Sequence, residues 1–268
     1  MTPASDLPEP VIAPARHGAI AVRTFAGSSI AVDPDREPPV VVGVSGLNGH
    51  SAGFAALVEA IADAGSAVDL QALDLRGRGA ASPEGPYGVD AHVDDVVALL
   101  ERTAWDRPVL AGHSFGAHVV AAVARRRPDL VGAVVLIDGG TPRRLPADAD
   151  RAAVADSVAA GIVANLGDDD PVTPAAVEAD TRSLFCDPSA NEAVFEVDRP
   201  ITVVRAGLGV APGLPPVVPE EAVAELVATG RGHVADELDL DADHFSVLFE
   251  PSPRLARAVI EAIATART

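Results

Sequence analysis

Ser114 stands between two glycines in the stretch Gly112-His113-Ser114-Phe115-Gly116, directly after the apolar run 108–111. A serine hydroxyl is a weak nucleophile until a base takes its proton, so the chemistry in view is acyl transfer by an activated serine. A strand entering this stretch and a helix leaving it would make a turn sharp enough to lift the hydroxyl above the sheet. The residues two before and two after must then be small, because side chains there would collide with neighbouring backbone. The five-residue pattern alone also fits an ordinary tight turn, and the elements on either side decide between the two. The base must come from seven histidines, at 17, 50, 92, 113, 118, 233 and 244.

The flanking sequence supplies those elements. Residues 107–114 are strand-like and 116–127 are apolar at helical spacing, which places the serine at a strand-to-helix turn with the first N–H groups of the helix aimed at it. The same alternation runs along the chain. Residues 19–27 and 28–33 read as two short strands joined by a turn, 38–46 as a fully apolar strand of a central sheet, 52–65 as a helix closed by Gly65, and 68–75 as the next strand. A loop over 76–88 leads to a helix at 90–103 with Asp90 as its cap. Strands at 131–138, 200–207 and 232–240 and helices at 219–230 and 252–266 complete the pattern. Alternating strands and helices predict right-handed crossovers and an α/β fold with a mostly parallel central sheet flanked by helices. Only 141–199 breaks the alternation. It is polar, rich in Ala and Asp, helical in period and interrupted by prolines, which predicts a short helical lid inserted after the strand ending at Asp138, over the sheet's edge. The length and the 48% hydrophobic content fit a single domain over 1–268.

Placement sorts the histidines. Sheets of this kind present their site beyond the carboxyl ends of the strands, and His244 lies in the loop after the last strand. His113 should point away from the hydroxyl across the turn, and His118, one helical turn on, packs or faces solvent. His17 opens the first strand, His92 lies on an early helix, His233 begins the last strand, and His50 follows the loop 45–49 at the site entrance.

With these stretches in place, the chain resembles the α/β-hydrolase family over nearly its whole length, through 40–50, 72–82, 110–118, 136–140 and 243–248. The loop "SGLNG" at 45–49 resembles the family's loop after the third strand, often written with His-Gly, and "DLRGRGAAS" at 74–82 resembles its Asp-x-Arg-Gly-x-Gly turn. The resemblance implies Ser114 as nucleophile, His244 as base, and the backbone N–H groups of Leu47 and Phe115 as the oxyanion hole. Ser45 stands where many relatives have histidine. Many members carry the acid a few residues after the strand represented here by 200–207, yet no carboxylate occurs there before Glu220. A second family arrangement puts the acid after the preceding strand, where Asp138 lies, and the order Ser114, Asp138, His244 is the family's. Asp-Gly-Gly is also good turn chemistry. The remaining carboxylates nearby, Asp236, Asp239, Asp241 and Asp243, share the histidine's own strand or loop. The loop of Asp74, Arg76 and Arg78 is structural in relatives, its charges pairing locally.

The implied activity is hydrolysis of a carboxylic ester or lactone through an acyl-enzyme. Serine at the nucleophile position argues against epoxide hydrolase and haloalkane dehalogenase chemistry, which use aspartate there. Thioester hydrolysis and carbon–carbon bond hydrolysis use the same triad, and a non-enzymatic small-molecule receptor is an alternative of another class. Leu166, Leu184, Phe185 and Phe195 in the insertion either shape a pocket for an apolar or aromatic substrate or pack the insertion against the sheet.

The formal net charge of −19, with no lysine among the basic residues, repels phosphate backbones and anionic lipid, so neither nucleic acid nor membrane is an expected partner. A polyanionic acyl carrier would need a local arginine patch. Arginine in place of lysine, with Ala and Asp richness and 3% aromatics, reads as genome composition or salt adaptation rather than function. Cys186 is a lone thiol that requires no oxidising compartment. The N-terminal stretch lacks a charged segment followed by an apolar one, and no run of about 18 apolar residues occurs, which predicts a cytoplasmic protein. Nucleotide and zinc motifs are absent, and residues 239–243 lack the spacing and glycine of a calcium loop, so neither cofactor nor metal is expected.

Overall fold

The computed structural model describes residues 7–26, 39–142, 144–210, 213–230 and 234–267, with the backbone alone at 235, 236 and 239. Among them run the strands β1 (Val11–Pro14), β2 (Ala19–Phe25), β3 (Val40–Val44), β4 (Asp69–Asp74), β5 (Val109–His113), β6 (Ala133–Ile137), β7 (Ile201–Ala206) and β8 (Val234–Leu240). They form one sheet in the order β1-β2-β4-β3-β5-β6-β7-β8. β1 and β2 pair antiparallel, as do β2 and β4, and every later pairing is parallel. The order reverses at β3, which has β4 on one side and β5 on the other, and such a reversal opens a crevice at the carboxyl ends of the strands.

Period-two alternation puts the two faces of the strands into two separate cores. Val42, Val44, Leu110, Val134 and Leu136 pack beneath the helices α2 (Val89–Leu100) and α3 (Phe115–Arg126). Val41, Val109, Ala111, Val135 and Ile137 pack beneath α1 (Ala55–Asp63) and α9 (Pro253–Ala266). Burying a valine or leucine in this way contributes about 1.5–3 kcal/mol. The apolar character of β3, of β6 and of β5 up to His113 is what burial on both faces demands.

Between β6 and β7 lie α4 (Arg151–Val163), α5 (Pro174–Cys186), α6 (Pro188–Asn191) and a 3₁₀ turn at Ala193–Glu196. α4 and α5 pack on each other around Ala159, Val172 and Val177; α5 also meets α2, and α6 meets α3. β6 and β7 are interior strands, so this segment rises from the carboxyl end of the sheet and not over its edge as expected. After β7 come α7 (Glu220–Thr229), β8, the short α8 (Ser246–Phe249) and α9. None of the described helices is long and apolar enough to cross a membrane.

Two other readings change: β1 was not anticipated, and Asp90 does not cap α2. The expected strand at 28–33 and His233 lie outside the described residues. Gly88, at φ 98°, occupies the cap position, while Asp90 sits in the first turn and pairs with Arg126 at 3.0 Å.

Candidate active site

β5 ends at His113 and α3 begins at Phe115, so Ser114 alone makes the turn, with φ 55° and ψ −117°. Positive φ is costly for a residue with a Cβ and persists only where the surroundings dictate it. Here the Ser114 N–H donates to the Ile137 carbonyl at 2.9 Å, and the Ala117 N–H donates to the Ser114 carbonyl at 3.1 Å. A side chain at Gly112 would run into the carbonyl of Gly116, and one at Gly116 into the carbonyl of Val44. The two small residues are therefore the condition for bringing β3, β5 and α3 together beneath the serine.

The turn aims the hydroxyl at His244, whose Nε2 lies 2.9 Å from Ser114 Oγ. The opposite ring nitrogen, Nδ1, is 2.6 Å from Asp138 Oδ2. A carboxylate only accepts, so the proton sits on Nδ1 and the lone pair of Nε2 faces the hydroxyl. Asp138 is itself fixed. It follows β6 at φ 45°, and its Oδ1 accepts from the Ala206 N–H of β7 at 3.1 Å. Asp138 is fully buried, whereas Ser114 and His244 are each 7% exposed, so a small molecule can reach the hydroxyl while the carboxylate stays sealed from water. Such a line can remove a proton from the hydroxyl and steady the imidazolium that results.

The carboxylates nearest His244 in sequence do other work. Asp243 accepts from the N–H groups of Ser246 and Phe245, each at 2.8 Å, and these bonds hold its carboxyl below the usual range. It shapes the turn into α8. Asp241 is exposed, and the side chains of Asp236 and Asp239 lie outside the described residues.

Across the crevice, the loop 45–50 is closed by its own serine. Ser45 Oγ donates to the His50 carbonyl at 2.9 Å, and the Gly49 N–H donates to the Gly46 carbonyl at 3.2 Å. Serine at this position is thus a brace for the loop that carries Leu47. Phe115 is the first residue of α3, whose opening N–H groups have no partner within the helix. Among the described residues, no carbonyl in a turn or loop accepts from the N–H of Leu47 or of Phe115. Asp74 pairs locally only in part, accepting from the N–H of Ala80 in its own loop at 3.0 Å and from that of Ser51, 23 residues earlier, at 2.6 Å. Arg76 and Arg78 do not. Arg76 reaches Asp95 of α2 at 2.5 Å, and Arg78 reaches Asp180 of α5 at 2.7 Å.

His113, expected to point away from the hydroxyl, bonds to the backbone of His244. Its Nε2–H donates to the His244 carbonyl at 2.7 Å, with the two ring centroids 4.9 Å apart. Burial, reinforced by His244, pushes its pKa down to about 4, so the ring stays neutral beneath its neighbour. His50 lines a narrow cleft with Ser114, His244, Phe245 and Phe249. His17 pairs with Asp94 at 3.0 Å, His92 bonds to Asp180, and His118 is buried on α3.

A cavity of about 540 Å³ opens from Ser114 and His244 toward the inserted helices. Its walls include Val158 and Ile162 of α4, Leu184 and Phe185 of α5, and Val217, with Asn48 and Asn165 as the uncharged polar groups. Of the four apolar insertion residues named from sequence, Leu184 and Phe185 do both things expected of them: they line this cavity and are buried in the main core. Leu166 packs within the α4–α5 pair, and Phe195 packs against the main core.

Comparison with known proteins adds to this geometry. A family model of the alpha/beta hydrolase fold matches residues 39–183. A 71-residue stretch is 39% identical to the lipase LipV of Mycobacterium tuberculosis; it spans 26% of this chain and 27% of that protein, so the chain matches about a quarter of the length of that relative. Over the whole chain the likeness is one of fold. A thermophilic esterase from Thermogutta terrifontis superposes with a TM-score of 0.70 at 19% identity, over 97% of this chain and 100% of the other. An enol-lactonase from Burkholderia xenovorans LB400 superposes with a TM-score of 0.65 at 18% identity, over 95% and 100%.

Proposed function

The chain belongs to the α/β-hydrolase fold family, and on that footing we propose that it is a serine hydrolase cleaving a carboxylic ester or lactone, with Ser114 as nucleophile, His244 as general base and Asp138 as the acid that orients it. The observation that carries the reading is the unbroken line of hydrogen bonds from a strained, slightly exposed serine to a sealed carboxylate, at 2.9 and 2.6 Å.

In this mechanism Ser114 Oγ attacks the carbonyl carbon as its proton passes to His244 Nε2. The N–H groups of Leu47 and Phe115 hold the oxyanion. Collapse of the tetrahedral adduct breaks the bond to the alcohol oxygen, which leaves with the proton from His244. Water then attacks the acyl-enzyme, giving its proton to His244, and the second collapse releases the acid and restores Ser114. With a lactone the alcohol stays tethered, and the product is one hydroxy acid.

The cavity walls favour an uncharged, apolar or aromatic acyl group. Polyanionic carriers find no Arg among the described lining residues. The inserted helices serve as a lid whose α4 and α5 side chains set which acyl group fits. The test is a substrate panel of aliphatic esters of increasing acyl length, aryl esters and small-ring lactones. Turnover of several neutral esters or lactones by the wild-type chain, absent in Ser114→Ala, is expected. A folded wild-type chain that turns over none of them, or a Ser114→Ala chain that keeps its rate, contradicts the reading.

A further inference from the structure

One buried cluster takes no part in that chemistry. Arg78, on the loop between β4 and α2, His92 of α2 and Asp180 of α5 are all buried almost completely. Asp180 Oδ2 accepts from Arg78 at 2.7 Å, Oδ1 accepts from the Gly88 N–H at 2.5 Å, and His92 Nε2 lies 3.0 Å from both oxygens. Burial alone would raise the carboxyl of Asp180, yet His92 and Arg78 hold it down to about 2, so the carboxylate is charged. The backbone ties the same two segments, with the Gly79 N–H on the Pro171 carbonyl at 2.7 Å and the Thr173 N–H on the Gly77 carbonyl at 2.8 Å.

The rest of the Arg78 guanidinium points at the site. Its Nε donates to the Leu47 carbonyl at 3.0 Å and its Nη1 to the Arg76 carbonyl at 3.2 Å, while its carbon lies 5.6 Å from the centre of the Phe115 ring. His92 meets the same ring edge-on at 5.8 Å. One cation therefore touches both residues whose N–H groups face the developing oxyanion in the mechanism above. A planar fork with five donors can serve three acceptors at once, which a lysine ammonium on a flexible stem cannot do in fixed geometry. A buried ion pair is not a cheap source of stability, because desolvation offsets its attraction.

We propose that Arg78, clamped by Asp180, is a positioning residue for the oxyanion hole: it fixes Leu47 through its carbonyl and Phe115 through its ring, and so couples the inserted helices to the acyl-transfer step. The proposal rests on the reading of Leu47 and Phe115 as oxyanion donors. Holding the Leu47 carbonyl anchors that residue one peptide away from its own N–H, where a displacement of about 1 Å costs roughly a hundredfold in rate.

Two variants test it. Arg78→Lys keeps the charge against Asp180 and loses the fork; Arg78→Met with Asp180→Leu removes both charges together and leaves neither stranded. Each is assayed on one activated ester for kcat and KM and titrated with a trifluoromethyl ketone, which adds to a serine hydroxyl and forms an oxyanion in the hole. The expected result is a kcat lowered about ten- to a hundredfold, ketone affinity lowered by the same factor, and KM little changed. Folded variants with wild-type kcat and ketone affinity, or with a raised KM and unchanged kcat, overturn the proposal, as does failure of both variants to fold, which would assign the pair to stability alone. A wild-type chain that neither hydrolyses the ester nor binds the ketone defeats the underlying reading instead, a result distinct from loss in the variants alone.

Discussion

The surroundings of Ser114 and the helices that face it across the cavity are held in place by different means. On the sheet side the constraints come from the backbone. Ser114 and Asp138 both sit at positive φ at the ends of neighbouring parallel strands, glycines admit the close approach, and each oxygen of Asp138 has a partner. On the helix side α4 and α5 share a small core of their own, and they join the body of the protein through Ala155, Leu184 and Phe185 in the main core, through Asp180 and through a few backbone bonds. A reacting group must keep its position to within a fraction of an ångström, which strand ends can provide. A cavity wall needs only shape and polarity, so helix side chains that face the cavity can change with less effect on the chemistry than Asp180, which holds Arg78.

The sharpest way to break this comparison is on the sheet side. Ser114→Ala should lower kcat on an activated ester by on the order of a millionfold with an almost unchanged melting temperature, since it removes the proposed nucleophile and little packing. Activity within tenfold of wild type would take Ser114 out of the mechanism. Asp138→Asn should lower kcat by about ten-thousandfold at neutral pH, because an amide no longer holds the proton on Nδ1. Asp241→Asn and Asp243→Asn should cost little. A large loss in either loop variant, or near-normal turnover in a folded Asp138→Asn chain, would move the acid elsewhere.

Smaller effects belong to the helices. Phe185→Ala should shift the ratio of rates between long and short acyl esters by about tenfold while reaction with a small fluorophosphonate stays intact. Phe185 is also buried in the main core, so this variant loses stability as well; Phe195→Ala, whose partly buried ring packs against that core and does not line the cavity, should lower stability by about 2 kcal/mol and leave that ratio unchanged. Equal loss on every substrate and on the inhibitor for Phe185→Ala would erase the distinction between wall and chemistry.

A further effect, read in stability and not in turnover, sits under the site. The His113 pKa falls from 6.5 when unfolded to about 4 when folded, so between those values the unfolded chain binds the proton that the folded chain refuses. Stability from this group is therefore fully present above pH 6.5 and is lost as the pH falls toward 4, by about 3 kcal/mol across the window. His113→Gln, whose side-chain amide can still donate to the His244 carbonyl, should flatten the loss of melting temperature with falling pH in that window. An unchanged slope would mean that other groups carry it.

The two regions also differed in how far they could be read from sequence. Buried strands such as β3, β5 and β6 announce themselves as unbroken apolar runs, and the proximity of Ser114, Asp138 and His244 follows once the strand order is known, because all three lie at carboxyl ends. β1 left no such mark. It is a four-residue edge strand, mostly exposed and ending in proline, so neither burial nor alternation shapes its composition. Asp90 looked like a cap by residue type, but the chain enters α2 through Gly88 at φ 98°, with the Gly88 N–H bound to a carboxylate 92 residues away. Asp180 itself was invisible, one Asp in an Asp-rich helical segment, and its burial depends on a partner from another element. His113 had only its place beside the serine to recommend it. Contacts made by the side chains of distant elements are the part that local pattern does not carry.

The central claim, that His244 activates Ser114 as the nucleophile, is tested most directly by mapping a covalent adduct. The wild-type chain is treated with a fluorophosphonate, digested, and its peptides weighed. A single adduct per chain on the peptide containing Ser114, absent in Ser114→Ala and formed much more slowly in Asp138→Asn, is the predicted result. A folded wild-type chain that takes up no label, or label that persists in Ser114→Ala, would contradict it.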